Sequence, residues 1–286
     1  MQGQWLDLDS DEWAGILEAG FGAVSVKVAN GSQTSRITIF RAGPFRIAYP
    51  EFPVGAATYS ADLIDAVVYA ARQHGVDMLR FHSGHSLQTG SPVVVLDVGT
   101  HVIPDLQTWE AAGVEKARRS MNRASRSPLT IEKASAGDAA EMYSLYLQTL
   151  SRHGGGKRYP LPYFGALASS NSSLVARLEG RVCAFVSFAC QGTRACYLHG
   201  AHDASARPFY ASDRLFYEMI SMAKMRGAEV FDFLPSPVSQ PSLAQYKRAW
   251  GAVPAPFIVS DLAVRPFRAG LFRVARCAAS ALPRWR

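Results

Sequence analysis

Apolar residues recur along this chain at two spacings, and glycine and proline mark the changes between them. Alternating stretches at 23–28, 36–41 and 45–49 predict three strands, with Gly31-Ser32 and Gly43-Pro44 as turns. From 60 to 74 the spacing becomes helical. Leu63, Ile64, Val67, Val68 and Ala71 share one face, and Gly75 ends the helix. Residues 77–82 read as a strand. The unbroken apolar run 93–98 reads as a strand of the buried type. A basic helix is expected over 106–126, closed by Pro128.

The second half begins with a strand at 129–133. A helix follows at 136–152, started near Ser135 or Asp138 and stopped by Gly154-Gly155-Gly156. A short helix at 162–168 precedes strands at 173–178, 182–190 and 194–200, with hairpin turns at Glu179-Gly180 and Gln191-Gly192. Both parities of 182–190 are apolar, as in a central strand covered on both faces. A helix at 212–226 and a strand at 229–234 come next. Pro235-Ser236-Pro237 breaks the chain. A short helix at 242–250 leads to a last strand at 257–262.

The helix–Gly–strand unit occurs twice, at an offset of 152 residues. Ser60, Leu63, Ala71, Gly75 and Phe81 recur as Ser212, Leu215, Ala223, Gly227 and Phe233. Both units follow several strands. The fold class implied is α/β (α+β), with two similar domains of mixed sheets flanked by helices. The expected division is a first domain at 1–105, a basic connecting helix at 106–127, a second domain at 128–262 and a basic amphipathic tail at 263–286.

Composition narrows the classes. The chain has 286 residues, 48% of them hydrophobic and 19% charged, so disorder is excluded as the main state. The net charge of +7 is local. Six arginines and no acid lie between 265 and 286, and the remainder is nearly balanced at 24 basic against 23 acidic side chains. The 115–126 segment is the other basic stretch. Either could meet phosphates or a membrane surface, or serve only as a solvated helix face. Four cysteines without CxxC spacing argue for a reducing compartment and inert packing roles. No apolar run is long enough to span a membrane, and residues 1–5 lack the features of a secretory signal. The expected location is cytoplasmic, with membrane association through the tail. His82 and His85 lack further ligands nearby, so no metal site is expected. No GxSxG or Cys/His nucleophile arrangement is present.

Several segments taken in order carry a family resemblance. They are Thr149-Leu150-Ser151-Arg152-His153-Gly154, Pro162-Tyr163-Phe164, the hairpin 175–188, Ala223-Lys224-Met225-Arg226-Gly227, Phe231-Asp232-Phe233, and above all Tyr246-Lys247 with Trp250-Gly251. Together they resemble the FemAB-like branch of the GNAT N-acyltransferase superfamily over residues 128–262. The first half joins through the internal repeat, because such enzymes carry two GNAT-like domains. The resemblance implies an acyltransferase that moves an acyl or aminoacyl group onto an amine. The donor is acyl-CoA or a similar activated acyl group, or alternatively aminoacyl-tRNA. The acceptor is a small-molecule, glycan or peptide amine, and the setting is cell-envelope or polysaccharide biosynthesis. No permanently bound cofactor is implied. A non-catalytic binding module of the same fold is the other reading. The segment before the second helix, Arg207-Pro208-Phe209-Tyr210-Ala211-Ser212-Asp213-Arg214, lacks the glycine loop with which ordinary GNAT enzymes hold pyrophosphate. Asp213 would repel phosphate there, leaving Arg207, Ser212 and Arg214 as donor-binding candidates.

The catalytic candidates are Lys247 and Asp232. An ammonium at Lys247 would stabilise the oxyanion of acyl transfer or bind the donor's phosphate; otherwise it is a surface lysine. Asp232 would take the proton of the attacking amine, or is a buried carboxylate paired with an arginine. Tyr197 and His199 share a face by strict alternation, and with Asp203, His153 and Tyr246 they are the acceptor-binding candidates. A satisfied core histidine is the other reading of His199. The glycines after His153 suit a mobile lid or a plain linker.

Overall fold

The repeat of helix, glycine and strand is realised twice in the computed structural model, which describes residues 5–31, 33–55, 59–89, 93–236 and 240–281, with side chains of the last helix described to Cys277. In chain order the elements are α1 (Asp11–Phe21), β1 (Val24–Asn30), β2 (Gln33–Ala42), β3 (Phe45–Pro50), α2 (Ala61–Gln73), β4 (Met78–Ser83), β5 (Val93–Asp97) and β6 (Thr100–Ile103). Then follow α3 (Glu115–Ala124), β7 (Thr130–Lys133), α4 (Ala139–His153), α5 (Leu161–Ser169), β8 (Ser173–Leu178), β9 (Arg181–Gln191), β10 (Arg194–His202) and α6 (Ala211–Met225). The chain closes with β11 (Val230–Asp232), α7 (Pro241–Arg248), β12 (Val253–Ala255), β13 (Ile258–Ala263) and α8 (Pro266–Ala281).

One unit comprises residues 22–98 and 256–286. Its sheet has the order β1-β2-β3-β4-β13-β5. Ser60 caps α2, its side chain accepting the Leu63 amide hydrogen bond at 3.2 Å. The apolar stripe of α2, Leu63, Ile64, Val67 and Ala71, is buried on Ala48, Leu79, Phe81 and Leu262. Ala269 of α8 packs on Ile47 and Met78. Arg268 fixes α8 by donating to Asp77 at 2.6 Å. The apolar run of β5 is not buried as expected. Val94, Val95, Leu96 and Val98 are 40–47% exposed, because β5 is the edge strand beside β13.

The other unit comprises residues 1–21 and 99–255. Its sheet has the order β12-β6-β11-β10-β9-β8-β7. In β9, Val186 and Phe188 join the core beneath α6, while Phe185 meets Phe164 of α5 at 5.9 Å. This is the doubly covered central strand that its apolar pattern requires. The β8–β9 turn holds Glu179 at φ 51° and Gly180 at φ 81°, the two left-handed residues of a tight hairpin.

The repeat has a structural counterpart. Met78 and Leu79 pair in parallel with Ile47 and Ala48 of β3, and Val230 and Phe231, 152 positions on, pair in parallel with Arg194 and Ala195 of β10. The fold is therefore two GNAT-like α/β units, each a mixed sheet flanked by helices. The division differs from the expected boundaries at 105, 128 and 262. After β5 the chain crosses to supply β6 to the other sheet, and after β12 it crosses back to supply β13. Strand periodicity specifies which face is apolar but not which strand lies alongside. The basic stretch is also not a connector. Only Glu115–Ala124 is α-helical, after a 3₁₀ turn at Ala111–Gly113, and Ala117, Ser120 and Ala124 are buried where α3 packs on α6 in the same unit. The sequence pattern did not mark α1, β6 or β12.

Candidate active site

The parallel pairing of β10 with β11 ends at Cys196 and Asp232. Beyond it β10 runs on to His202, while the other strand turns away through Phe233, Leu234 and Pro235. Leu234 takes a left-handed conformation, φ 57°, at this turn. A cavity of about 340 Å³ lies in the resulting gap. Tyr197 and Leu198 line it from β10, Phe233 and Leu234 from the parting strand, and Tyr246 and Lys247 from α7.

Lys247 is 2% exposed, not a surface lysine. Its ammonium donates to the carbonyl oxygen of Leu234. Burial pushes the ammonium down to about 8, with the nearby Asp232 carboxylate pulling the other way. Asp232 is fully buried and is absent from the cavity wall. Its Oδ1 accepts from Thr100 Oγ1 at 2.7 Å and from the Leu234 amide at 2.8 Å, and its Oδ2 accepts from Arg194 Nη1 at 2.7 Å. The arginine-paired reading of Asp232 is the one the geometry supports. The carboxylate holds the turn at Leu234, and that turn presents its carbonyl to Lys247.

A bulge in β10 overrides strict alternation. Tyr197 stands opposite Phe188 and His199 opposite Ser187, so Leu198 is an extra residue. Tyr197 and His199 therefore do not share a face. Tyr197 packs on Phe216 of α6 at 5.1 Å, in the cavity wall, and burial raises its hydroxyl pKa. His199 turns to the α5 side, 2.7 Å from the Tyr163 hydroxyl, and burial lowers it to about 3. It is a neutral core histidine. Gly200 permits the bulge: a Cβ there would lie 2.6 Å from the Tyr197 hydroxyl and 3.1 Å from the Phe185 carbonyl oxygen.

Cationic side chains gather where α4 and α6 meet the cavity. Arg152 Nη2 donates to the His202 carbonyl at 2.8 Å and to Thr149 Oγ1 at 2.9 Å. His202 Nδ1 lies 3.1 Å from Ser212 Oγ. Arg207 Nε is directed at His202 Nε2 at 3.4 Å. A guanidinium only donates, so Nε2 accepts and Nδ1–H donates to Ser212, which leaves the Ser212 hydroxyl hydrogen available to a ligand. Burial, and then Arg152 and Arg207, push His202 below its ordinary value. Tyr246 donates to Asp213 Oδ1 at 2.8 Å, so the acid in the first turn of α6 positions Tyr246. On α3, Lys116 lies over the Tyr246 ring at 5.2 Å and Arg123 donates to the Tyr210 hydroxyl at 3.0 Å.

Of the expected residues, His153, Tyr197, Ser212, Tyr246 and Lys247 line the cavity, while Asp232, His199, Asp203, Arg207 and Arg214 do not. Asp203 caps the 3₁₀ helix at Ala204–Phe209, and the Ser205 amide holds its carboxyl below the usual carboxylate range. Arg214 pairs with Glu218 at 2.7 Å. Sequence reasoning missed His202, Phe185, Phe216 and Leu243 as wall residues. His202 carried no motif, and its position depends on the bulge. Among the described residues no group of three His, Cys, Asp or Glu side chains could hold a metal ion.

Residues 112–248 match the family model described as Acetyltransferase (GNAT) domain. This segment, a little under half of the chain, is similar to a GNAT acetyltransferase domain. It contains the gap between β10 and β11, α6 and Lys247. Around the GNAT domain, the whole chain is similar in fold to a solved structure of FemX, with 12% identity over 91% of this chain and 93% of that one and a TM-score of 0.66. The C-terminal domain of a protein assigned as a lysylphosphatidylglycerol synthetase from Agrobacterium fabrum is 20% identical over 88% and 87% of the two chains, with a TM-score of 0.58. L-PGS from Bacillus licheniformis is 16% identical over 91% and 93%, with a TM-score of 0.58. At these identities the likeness is one of fold. No curated protein matches the chain in sequence. The GNAT-domain match, within a fold like that of FemX, supports an acyltransferase.

Proposed function

We propose that this acyltransferase moves an acyl group from an activated thioester of the acyl-CoA type to an amine of a small-molecule, glycan or peptide acceptor in cell-envelope or polysaccharide biosynthesis. The observation that carries the reading is the buried Lys247 ammonium, set against the gap where β10 and β11 part. The acceptor nitrogen attacks the donor carbonyl carbon, and a C–N bond forms as the carbonyl electrons move to oxygen. Lys247 stabilises that oxyanion, with the Ser212 hydroxyl as a second donor. Collapse breaks the C–S bond, and the proton lost by nitrogen ends on the thiolate. No carboxylate lines the cavity among the described residues, so positioning carries the reaction and no acidic side chain serves as base. Asp232 acts through Leu234 as a positioning residue. His153 and Tyr197 border the acceptor, and Arg152 and Arg207 meet the donor's phosphates, with His202 holding Arg207 and Ser212 in place.

The name of one neighbour, a lysylphosphatidylglycerol synthetase, refers to a phospholipid and favours the envelope setting. The basic α3 face beside Tyr246 and Tyr210 favours a second donor, aminoacyl-tRNA. Contact with a membrane surface through α8 rests on exposed Phe267, Leu271 and Val274 among arginines. No helix among the described residues is long and apolar enough to cross a membrane.

The test is thiol release from acyl-CoA by full-length protein with a panel of amino-sugar and peptide amines. Lys247→Ala should lower kcat by about 10²–10³, the usual cost of one oxyanion donor. A variant that keeps near-normal turnover removes Lys247 from the mechanism. Transfer seen only with aminoacyl-tRNA replaces the thioester with the second donor.

A further inference from the structure

The cavity wall has an apolar part and a cationic part, and no anionic one. Phe185, Val186, Leu198, Phe216, Phe233 and Leu243 supply apolar surface. Arg152 and the buried Lys247 supply the positive charge. The acids nearby are all committed elsewhere. Asp213 accepts from Tyr246, Asp232 is held by Arg194, Thr100 and Leu234, and Asp203 caps a 3₁₀ turn. Residues 237–239, outside the described residues, contain no acid in sequence.

Resting on the acyltransfer reading above, we infer that the transferred group is an uncharged, apolar acyl group bulkier than acetyl, and that cationic aminoacyl groups such as lysyl are excluded. Size and charge argue for this separately. The cavity has a volume of about 340 Å³. Acetyl sets a single methyl group against the six apolar side chains of the wall, and apolar surface left unmatched forgoes both packing and burial energy. A second ammonium would enter a largely apolar cavity that already holds Lys247 and Arg152, with no carboxylate in its wall as counter-ion. An apolar chain meets neither cost. The bonds made and broken are those of the proposed transfer: C–N forms, C–S breaks, and the proton moves from nitrogen to sulfur. The group selected affects binding and not the balance.

The experiment uses the full chain and compares two sets of probes. Calorimetry measures acetyl-CoA, hexanoyl-CoA and 6-aminohexanoyl-CoA. Ligand-observed NMR measures the carrier-free amides acetamide, hexanamide and 6-aminohexanamide. Each buried methylene contributes about four-fold in affinity, so hexanoyl-CoA, with four more, should bind up to about 250-fold tighter than acetyl-CoA when its whole chain is buried. The 6-amino compounds should bind more weakly than their uncharged partners in both sets. Leu243→Glu places a carboxylate in the wall on a half-buried helix position and should invert the preference between the two six-carbon amides. If the thioesters fail to bind while hexanamide still outcompetes 6-aminohexanamide, the apolar chamber stands and the thioester donor falls. Equal binding of the two amides, or acetyl-CoA bound as tightly as hexanoyl-CoA, overturns the inference.

Discussion

Lys247 and Asp232 differ in what they do despite being neighbours. Asp232 has every hydrogen bond it needs and is walled off from the cavity. Lys247 faces the cavity with a single carbonyl partner recorded, and burial lowers its pKa from 10.5 to about 8. Oxyanion stabilisation needs the charged form, so kcat should fall as pH rises through about 8. Stability should move the other way. Between pH 8 and 10.5 the unfolded chain binds the proton that the folded lysine has released, so stability rises with pH in that window. The slope should approach about 1.4 kcal/mol per pH unit. Below pH 8 both states are protonated and the contribution is flat. Chemical denaturation at a series of pH values checks this, with Lys247→Met expected to lose the rise. A difference between wild type and Lys247→Met that stays flat from 8 to 10.5 would show that the ammonium is not desolvated.

At the scale of elements, α3 and α8 are both basic and are used differently. The small residues Ala117, Ser120 and Ala124 let α3 lie close against α6. Its arginines and lysine are thereby presented near the cavity. On α8, Ala269 and Phe272 face the sheet, with Phe272 5.5 Å from Phe45. Phe267 and Val274 remain 79% and 68% exposed. Phe267, Leu271 and Val274 follow helical spacing, and no acid lies within 265–286. The apolar face expected from sequence is Leu271, Val274, Ala275, Ala278 and Leu282, without Phe267; the Ala278 side chain and Leu282 lie outside the described residues. The full chain should float with anionic phosphatidylglycerol vesicles, and Phe267→Asp with Leu271→Asp should abolish flotation while the unfolding temperature is kept. Equal flotation of the double variant would refute the membrane contact. Deletions for this purpose must begin after Arg265, because β13 extends to Ala263 inside the sheet.

For the whole molecule, the exchange of β6 and β13 decides what can be removed. A chain ending at Ala255 keeps β4 and β5 but loses β13, which pairs with both of them. It also loses Asp261, whose two oxygens bind Arg80 at 2.6 and 2.7 Å. Arg80 would be left without its counter-ion and the apolar β5 without a ladder. The 22–98 region of such a chain should lose amide-exchange protection, although the truncation lies more than 150 residues away in sequence. Persistence of protection in β3 and β4 would show that the exchanged strand is dispensable.

The sequence by itself determined what depends on neighbours a few residues away. Ser60 and Gly75 bracket α2, and Glu179-Gly180 makes the hairpin turn because both positions need left-handed backbone. The offset of 152 revealed the two units, and Tyr246-Lys247 pointed to the site. Tertiary structure decided what depends on distant partners. A side-chain period of two does not encode which strand lies alongside, so the crossing of β6 and β13 was invisible. For the same reason an apolar run gives no sign that β5 is an edge. His199 was misplaced because one extra residue at Leu198 reverses the alternation. The role of Asp232 was set by Arg194 and Thr100, 38 and 132 positions away, which folding alone brings to the same carboxylate.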